Sequence, residues 1–373
     1  MTRQPLVLFL CGDVMPGRGV DQVLPYPCDP QIHEPYVHDA RHYVELAERA
    51  NGPIPKPVDF SYVWGDALAE LERRAPDARI INLETAVTRN DEYWRSKGIN
   101  YRMSPQNLPC LAAVGIDACA LANNHVLDWG YAGLDETLES LRSMNIKAAG
   151  AGRNAALAAA PALLETRGAG RVILFSFGLE NSGIPVRWAA SADRPGINLL
   201  RALSSDTVRR VKEDVDRVKR SGDIVVASIH WGSNWGYAID REETEFARAL
   251  IDHAGVDVIH GHSSHHPRGV EVYRDKPILY GCGDFLDDYE GIGGYEEFRN
   301  DLVLMYFVSI ERRTGKLTDL TMVPMRTERF RLHRASAPDA RWLHERMNRE
   351  CARLGTRVEL SADNVLTLRW EGQ

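Results

Sequence analysis

Long apolar runs are missing from this chain of 373 residues. None approaches the ~20 residues that a membrane-spanning helix needs, so no transmembrane segment is expected. Cysteine is sparse. Cys11, Cys28, Cys110, Cys119, Cys282 and Cys351 form no C-x-x-C pair and do not resemble a disulfide framework. Several lie in apolar stretches as small hydrophobes, which favours a reducing compartment. An excess of positive charge is absent too: 45 Lys and Arg face 52 Asp and Glu, a net charge of −7. Nothing global therefore predicts nucleic-acid binding, which would need a local basic face. The segment PLVLFLC (5–11) is followed by Gly-Asp rather than by a small-residue cleavage site. It is expected to be a buried first strand and not a signal peptide, which predicts a cytoplasmic protein.

Hydrophobic residues make up 44% and charged residues 26% of the chain, as in ordinary globular proteins. The length fits two or three domains, or one large α/β domain with appendages. Strand-like runs occur at 6–12, 78–84, 117–122, 145–150, 171–177, 223–230 and 256–261. Amphipathic helical patterns at 64–75, 133–144, 206–222 and 242–255 separate several of them, which predicts a layered α/β fold. Later strands, GVEVYR, KPILYGCG, DLVLMYFVSIER and KLTDLTMVPMR, follow without helices, and ERRTGKLTD reads as a hairpin. The pattern predicts two sheets packed face to face and flanked by helices. Seven prolines between 21 and 60 mark an irregular insertion around one short helix. Residues 326–373 read as a small α+β extension after a main domain of 1–325.

Sites in such folds form at the carboxyl ends of strands. Those ends carry Asp13, Glu84, Asn123-Asn124-His125, His230, the cluster HGHSSHH (260–266) and Asp284. Four of the twelve histidines fall within seven positions, which a plain loop does not require. Carboxylates, an amide oxygen and imidazoles together suit one or two divalent metals. A pair ~3.5–4 Å apart needs a shared carboxylate and several terminal ligands. GAGRNA (150–155) fits G-x-G-x-x-A, but no acidic residue ends the following strand, so no nucleotide cofactor is expected. The basic run RTERFRLHR (326–334) either faces an acidic polymer or is a solvated strand.

The blocks GDVMPGR, INLETAVT, LANNHVLDWG, SIHWGSNWG, HGHSSHH and PILYGCGDF resemble, over residues 6–325, the CapA family linked to poly-γ-glutamate capsule synthesis. That family lies in the calcineurin-like metallophosphoesterase superfamily. The resemblance implies a four-layer α/β/β/α sandwich and a metal site, with Mn, Fe or Zn as the metal. It implies Asp13, Glu84, Asn124, His230, His262 and His265 as ligands and His125 as the acid that serves the leaving group. The superfamily pattern opens Asp-x-His, and Met15 stands here in place of that histidine. Glu84 stands for the bridging Asp, and the Gly-His-x-His block carries one extra residue, so His266 competes for a ligand role while His260 is expected to be structural. Asp284 is expected to orient a ligating histidine and Asp128 to orient the Asn-His turn. Arg18 is a candidate clamp for a phosphate or carboxylate. Glu180, Asn181, Trp231 and Trp235 are candidates for the pocket wall. The implied activity is hydrolysis of a phosphoester or amide by a metal-activated water, on a small or polyanionic, polyglutamate-like substrate. The alternative is a non-catalytic accessory protein of a polyglutamate synthesis or export complex, built on a degraded metal site.

Overall fold

The computed structural model describes residues 4–167 and 170–371. Successive side chains of a strand point to opposite faces, and the strand Leu6–Val14 sets the layering by this rule. Leu6, Leu8 and Leu10 enter one core, whereas Phe9, Cys11 and Val14 enter another. On the first face these leucines meet Leu304, Tyr306 and Val308 of their own sheet and Val172, Leu174 and Val226 of a second sheet. One apolar core is thus shared between two sheets, and each fully buried Leu or Val in it contributes roughly 1.5–3 kcal/mol.

In the first sheet, Leu6–Val14 runs parallel to Ala78–Leu83, followed by Ala118–Ala120 and Lys147–Ala149. On its other side lie antiparallel Leu302–Ile310 and Leu317–Glu328. The second sheet runs Leu199–Leu200, Arg171–Leu179, Ile224–His230, Val258–His262, Lys276–Leu279 and Val270–Tyr273. Helices Ser205–Val218 and Arg241–Ala254 cover its outer face through Val208, Val211, Val215, Phe246 and Leu250. Helices Ala67–Arg74 and Gly130–Ser143 cover the outer face of the first sheet through Leu71, Leu134 and Leu141. Helix Ser205–Val218 starts within one residue of the expected position because Ser204 accepts the amide of Thr207, an N-cap that satisfies an otherwise unpaired donor.

The strands and helices read from periodicity are present, with boundaries shifted. The run 145–150 shortens to Lys147–Ala149, and the Pro-rich insertion holds helix Arg41–Asn51 between irregular segments. The boundary expected at 325/326 falls within strand Leu317–Glu328. The tail strands Leu366–Trp370 and Thr356–Leu360 extend the first sheet. Helix Ala337–Ala352 sends Leu343, Met347 and Cys351 into the core between the sheets. Periodicity missed the three-residue strand Asp284–Leu286, which pairs in parallel with Leu6–Val14. All six cysteines are free and buried. No helix among the described residues is long and apolar enough to cross a membrane.

Candidate metal centre

Strand register brings the polar residues together. In the first sheet Asp13 sits level with Asn82 on one neighbour and Asp284 on the other. In the second, His230 pairs with His262 and Ser228 with His260. The two parallel neighbours Leu6–Val14 and Asp284–Leu286 meet through matching tripeptides, Cys11-Gly12-Asp13 and Cys282-Gly283-Asp284. The amide of Asp13 donates to the carbonyl of Gly283 at 2.9 Å.

Two groups of potential ligands share Asp13. In the first, one atom each of Asp13, His230 and His262 lie within 4.8 Å of one another; in the second, Asp13, His265 and Asp284 do so. Around the first, His230 Nδ1 is 2.8 Å from His262 Nδ1, and His230 Nε2 is 3.1 Å from Asn124 Oδ1. Glu84 Oε1 lies 3.9 Å from both His230 Nε2 and His125 Nε2. The amide nitrogen of Asn82 ties the carboxylates together, donating to Asp13 Oδ1 at 2.7 Å and to Glu84 Oε2 at 3.0 Å. Asn123 anchors the turn: it donates to Asn82 Oδ1 and Leu83 O and accepts from the amides of His125 and Val126. In the second group, His265 Nδ1 meets Asp284 Oδ1 at 2.8 Å. All six residues expected as ligands therefore converge, and Asp284 joins them directly.

The donor set fits divalent cations. Burial, and then Asp284, push the Asp13 carboxyl up to about 7. Burial and the Asp13 charge raise Glu84 as well. Both shifts say that buried carboxylates face one another without enough positive charge. Among the described residues no Lys or Arg forms an ion pair with Asp13, Glu84 or Asp284; their ionisable partners are histidines. Burial holds His230 and His262 well below the usual imidazole range, leaving them in the neutral form that ligates metal. Burial also opposes charge on His265, but the adjacent Asp284 outweighs it and raises this imidazole. Asp284 Oδ2 is buried with no hydrogen-bond partner, an acceptor whose partner a cation can supply.

His125 borders this cluster. Its Nδ1 is 2.6 Å from Asp128 Oδ2, which also accepts the amide of Tyr101 at 2.8 Å. The Tyr101 ring packs edge-on against the imidazole at 4.6 Å. His125 (7% exposed) and His265 (8%) are more open than the nearly sealed His230 and His262, so solvent meets the centre on their side. Lys97, which the motifs did not flag, donates to Asn124 O at 2.6 Å and lies 3.6 Å from Asp128 Oδ1. It stands in the irregular stretch after strand Ala86–Val87, where no periodicity marks it.

Arg18 does not present a free guanidinium to a substrate. Its Nε and Nη2 bond Asp288, its Nη1 bonds Glu34 at 3.0 Å, and it is 2% exposed. Tyr43 and Tyr101 pack on it at 3.8 and 4.3 Å. It ties the Pro-rich insertion to the segment after Asp284 and buttresses Tyr101 behind His125. Arg18→Met leaves two buried carboxylates unpaired, and a loss of about 3–5 kcal/mol in unfolding free energy is expected, read as a lower urea midpoint. Arg18→Lys should recover part of it; a midpoint unchanged in Arg18→Met would refute the buttress role.

The four histidines divide by direction. His262 and His265 face the centre. His260 points back between the sheets, to Cys11 O at 2.7 Å. His266 lies among Phe298, Tyr237 and Trp235. Met15 is fully buried, with Tyr289 donating to its sulfur at 3.7 Å. Trp231 packs in the outer core of the second sheet, whereas Trp235 lies 5.3 Å from the His265 ring and stacks on Tyr295 at 3.9 Å. Asn181 accepts the amide of Gly232 at 3.1 Å and Glu180 is exposed. The GAGRNA segment becomes strand Ala151–Gly152 and the cap of a five-residue helix. In the basic run, Arg326 meets Asp301 and Asp339, and Arg334 meets Glu70.

A family model described as "Bacterial capsule synthesis protein PGA_cap" matches residues 7–289, a span that contains every residue of this centre. A "Probable polyglutamine synthesis accessory protein" of Mycobacterium tuberculosis is 50% identical over 362 residues, covering 97% of this chain and 95% of that one. The "PGA biosynthesis protein CapA" of Bacillus subtilis is 28% identical over 245 residues, 65% of this chain and 60% of that one. The "Capsule biosynthesis protein CapA" of Bacillus anthracis is 24% identical over 326 residues, 86% and 67% respectively. With the match running from the first strand through Asp284, this chain belongs to the bacterial capsule synthesis protein PGA_cap family.

Proposed function

We propose that this protein serves poly-γ-glutamate capsule synthesis as a metal-dependent hydrolase of a phosphoester or amide. In this reading the two sheets and their outer helices are a metallophosphoesterase-type α/β/β/α sandwich. The observation that carries it is the sharing of buried Asp13 between two ligand groups, which is the arrangement a pair of cations needs. Asp13, His230 and His262, with Glu84 and Asn124 alongside, would hold one cation; Asp13, His265 and Asp284 would hold the other. Asp284 then supplies a ligand on the side where Met15 replaces a histidine. Mixed carboxylate and imidazole donors suit Mn, Fe or Zn.

Bound there, such cations polarise a phosphoryl or carbonyl oxygen and acidify water. The chain's own residues handle the proton. Asp128 holds the Nδ1–H of His125, which leaves Nε2 as a lone pair facing Glu84. Nε2 can take a proton and pass it to the leaving group, and the Asp128 carboxylate stabilises the imidazolium in between. The near-complete burial of His230 and His262 keeps bulk water from competing.

The decisive experiment is hydrolysis of a generic phosphodiester by the full chain supplied with Mn, Zn or Fe, repeated with His125→Ala. Activity that falls about 10²–10⁴-fold in the variant supports the hydrolase. A second reading, a binding platform in a synthesis or export complex, is favoured by Met15 and by the accessory role in the Mycobacterium tuberculosis relative's name. Activity that is absent with all three metals, or unchanged in His125→Ala, favours that platform.

A further inference from the structure

Behind the centre, a hydrogen-bonded chain of three side chains crosses from one sheet to the other. It starts at the carbonyl of Cys11, in the first sheet, which lies 2.7 Å from His260 Nε2. A backbone carbonyl only accepts, so Nε2 carries the hydrogen. His260 is fully buried and pairs with no carboxylate. An imidazole so placed is neutral, and its Nδ1 is therefore a lone pair. Ser228 Oγ lies 3.1 Å from that Nδ1 and gives it its single hydrogen. The serine oxygen has only lone pairs left for its second neighbour, His262 Nε2, at 2.8 Å. That nitrogen must then carry a hydrogen. A neutral imidazole has only one, so His262 Nδ1 carries none: it accepts the hydrogen of His230 Nδ1 at 2.8 Å and lies 3.8 Å from Asp13 Oδ1. The chain cannot run the other way, because its far end would need a carbonyl to donate.

We propose that Ser228 and His260 are positioning residues that fix the tautomer of His262 and present its Nδ1 as a ready lone pair to a divalent cation. This rests on the metal-centre assignment above. It gives His260, the first histidine of the HGHSSHH cluster, a role that its place between the sheets conceals. Register builds the device: Ser228 pairs with His260, and His230 with His262, two residues further on the same face. A cation arriving at His262 then displaces no proton from that ring and takes the place of the His230 N–H at its lone pair.

The test uses the full chain with histidine labelled by ¹⁵N, read by long-range ¹H–¹⁵N correlation without metal, and by calorimetric titration with Mn²⁺. In the wild type, His262 is expected to be protonated at Nε2 alone. Ser228→Ala is expected to lose that single tautomer and to bind Mn²⁺ about 10–100-fold more weakly, the range for residues that orient a metal-ligating histidine. Ser228→Thr, which keeps the hydroxyl, should restore both. A hydrogen on His262 Nδ1 in the wild type, or unchanged Mn²⁺ affinity in a folded Ser228→Ala, overturns the proposal. If Ser228→Ala fails to fold, the wild-type tautomer and Ser228→Thr decide it. A wild type that binds no metal yet shows the Nε2–H tautomer refutes the metal centre and leaves the relay standing, so the two failures are distinguishable.

Discussion

Asp13→Asn is expected to weaken both cation sites together, whereas Asp284→Asn should cost only one. Asp13 is the residue common to both ligand groups, and the amide is a neutral, poorer donor of almost the same shape. Removing a residue that merely orients a ligand lowers metal affinity about 10–100-fold, so losing the shared carboxylate should exceed about 100-fold at both sites and abolish metal-dependent turnover. Metal analysis after dialysis should then fall from the two cations per chain of the proposed centre to none, and in Asp284→Asn from two to one. Stability of the metal-free protein should move the other way. Burial and the Asp284 charge already push the Asp13 carboxyl up to about 7, so the charged form is resisted by its surroundings. Neutralising it relieves that repulsion, while Asn82 keeps its second acceptor in Glu84. The metal-free variant should therefore unfold at a urea concentration equal to or above the wild type. Equal loss of one cation in both variants would show that Asp13 is not shared.

The convergence of Asp13, Glu84, Asn124 and His230 was legible in the sequence because each comes at the end of a readable apolar run. Asp13, Glu84, Asn124 and His230 follow clear runs, and parallel pairing places such ends on one side of a sheet. The histidine cluster was legible as a group from its density, whereas its members were told apart only through the family resemblance, which set His262 and His265 as ligands and His260 as structural. Direction within 260–266 depends on pleat and on the turn after His262, where Ser263 takes a φ of 99°, and no local pattern encodes that. Arg18 misled for the opposite reason. A glycine-flanked arginine after a strand looks free, yet its partners, Asp288 and Glu34, are 270 and 16 residues away. The contact of Asp284 with His265 was expected, but its place level with Asp13 was not legible, because its strand is three residues long, too short for periodicity to register. Only its pairing with Leu6–Val14 reveals that it stands beside Asp13. The tail illustrates the same limit, since its short strands read as an appendage until their partner, Leu317–Glu328, shows them continuing the first sheet.

Gly12→Ala is expected to be more damaging than alanine at any other glycine among the described residues. A Cβ at Gly12 would lie 1.6 Å from the carbonyl oxygen of Gly283 and 2.4 Å from its carbon. Both are backbone atoms, held by the 2.9 Å bond from the Asp13 amide to that same oxygen, so no rotamer change relieves the clash. Strand Asp284–Leu286 must separate from Leu6–Val14, which takes Asp284 away from Asp13 and opens the inner core around Cys282. Losses of this kind, backbone displacement plus core disruption, are the ones that exceed about 4 kcal/mol. Insoluble expression, or a far lower urea midpoint with both cation sites lost, is the expected result. Gly98→Ala is the matched control, because a Cβ there meets nothing within 4 Å, and it should stay within about 0.5 kcal/mol of wild type. If Gly12→Ala proved as stable as Gly98→Ala, the close approach of the two Cys-Gly-Asp segments would be wrong. The juxtaposition of Asp13 and Asp284 would fall with it, because their side chains meet only where those backbones touch.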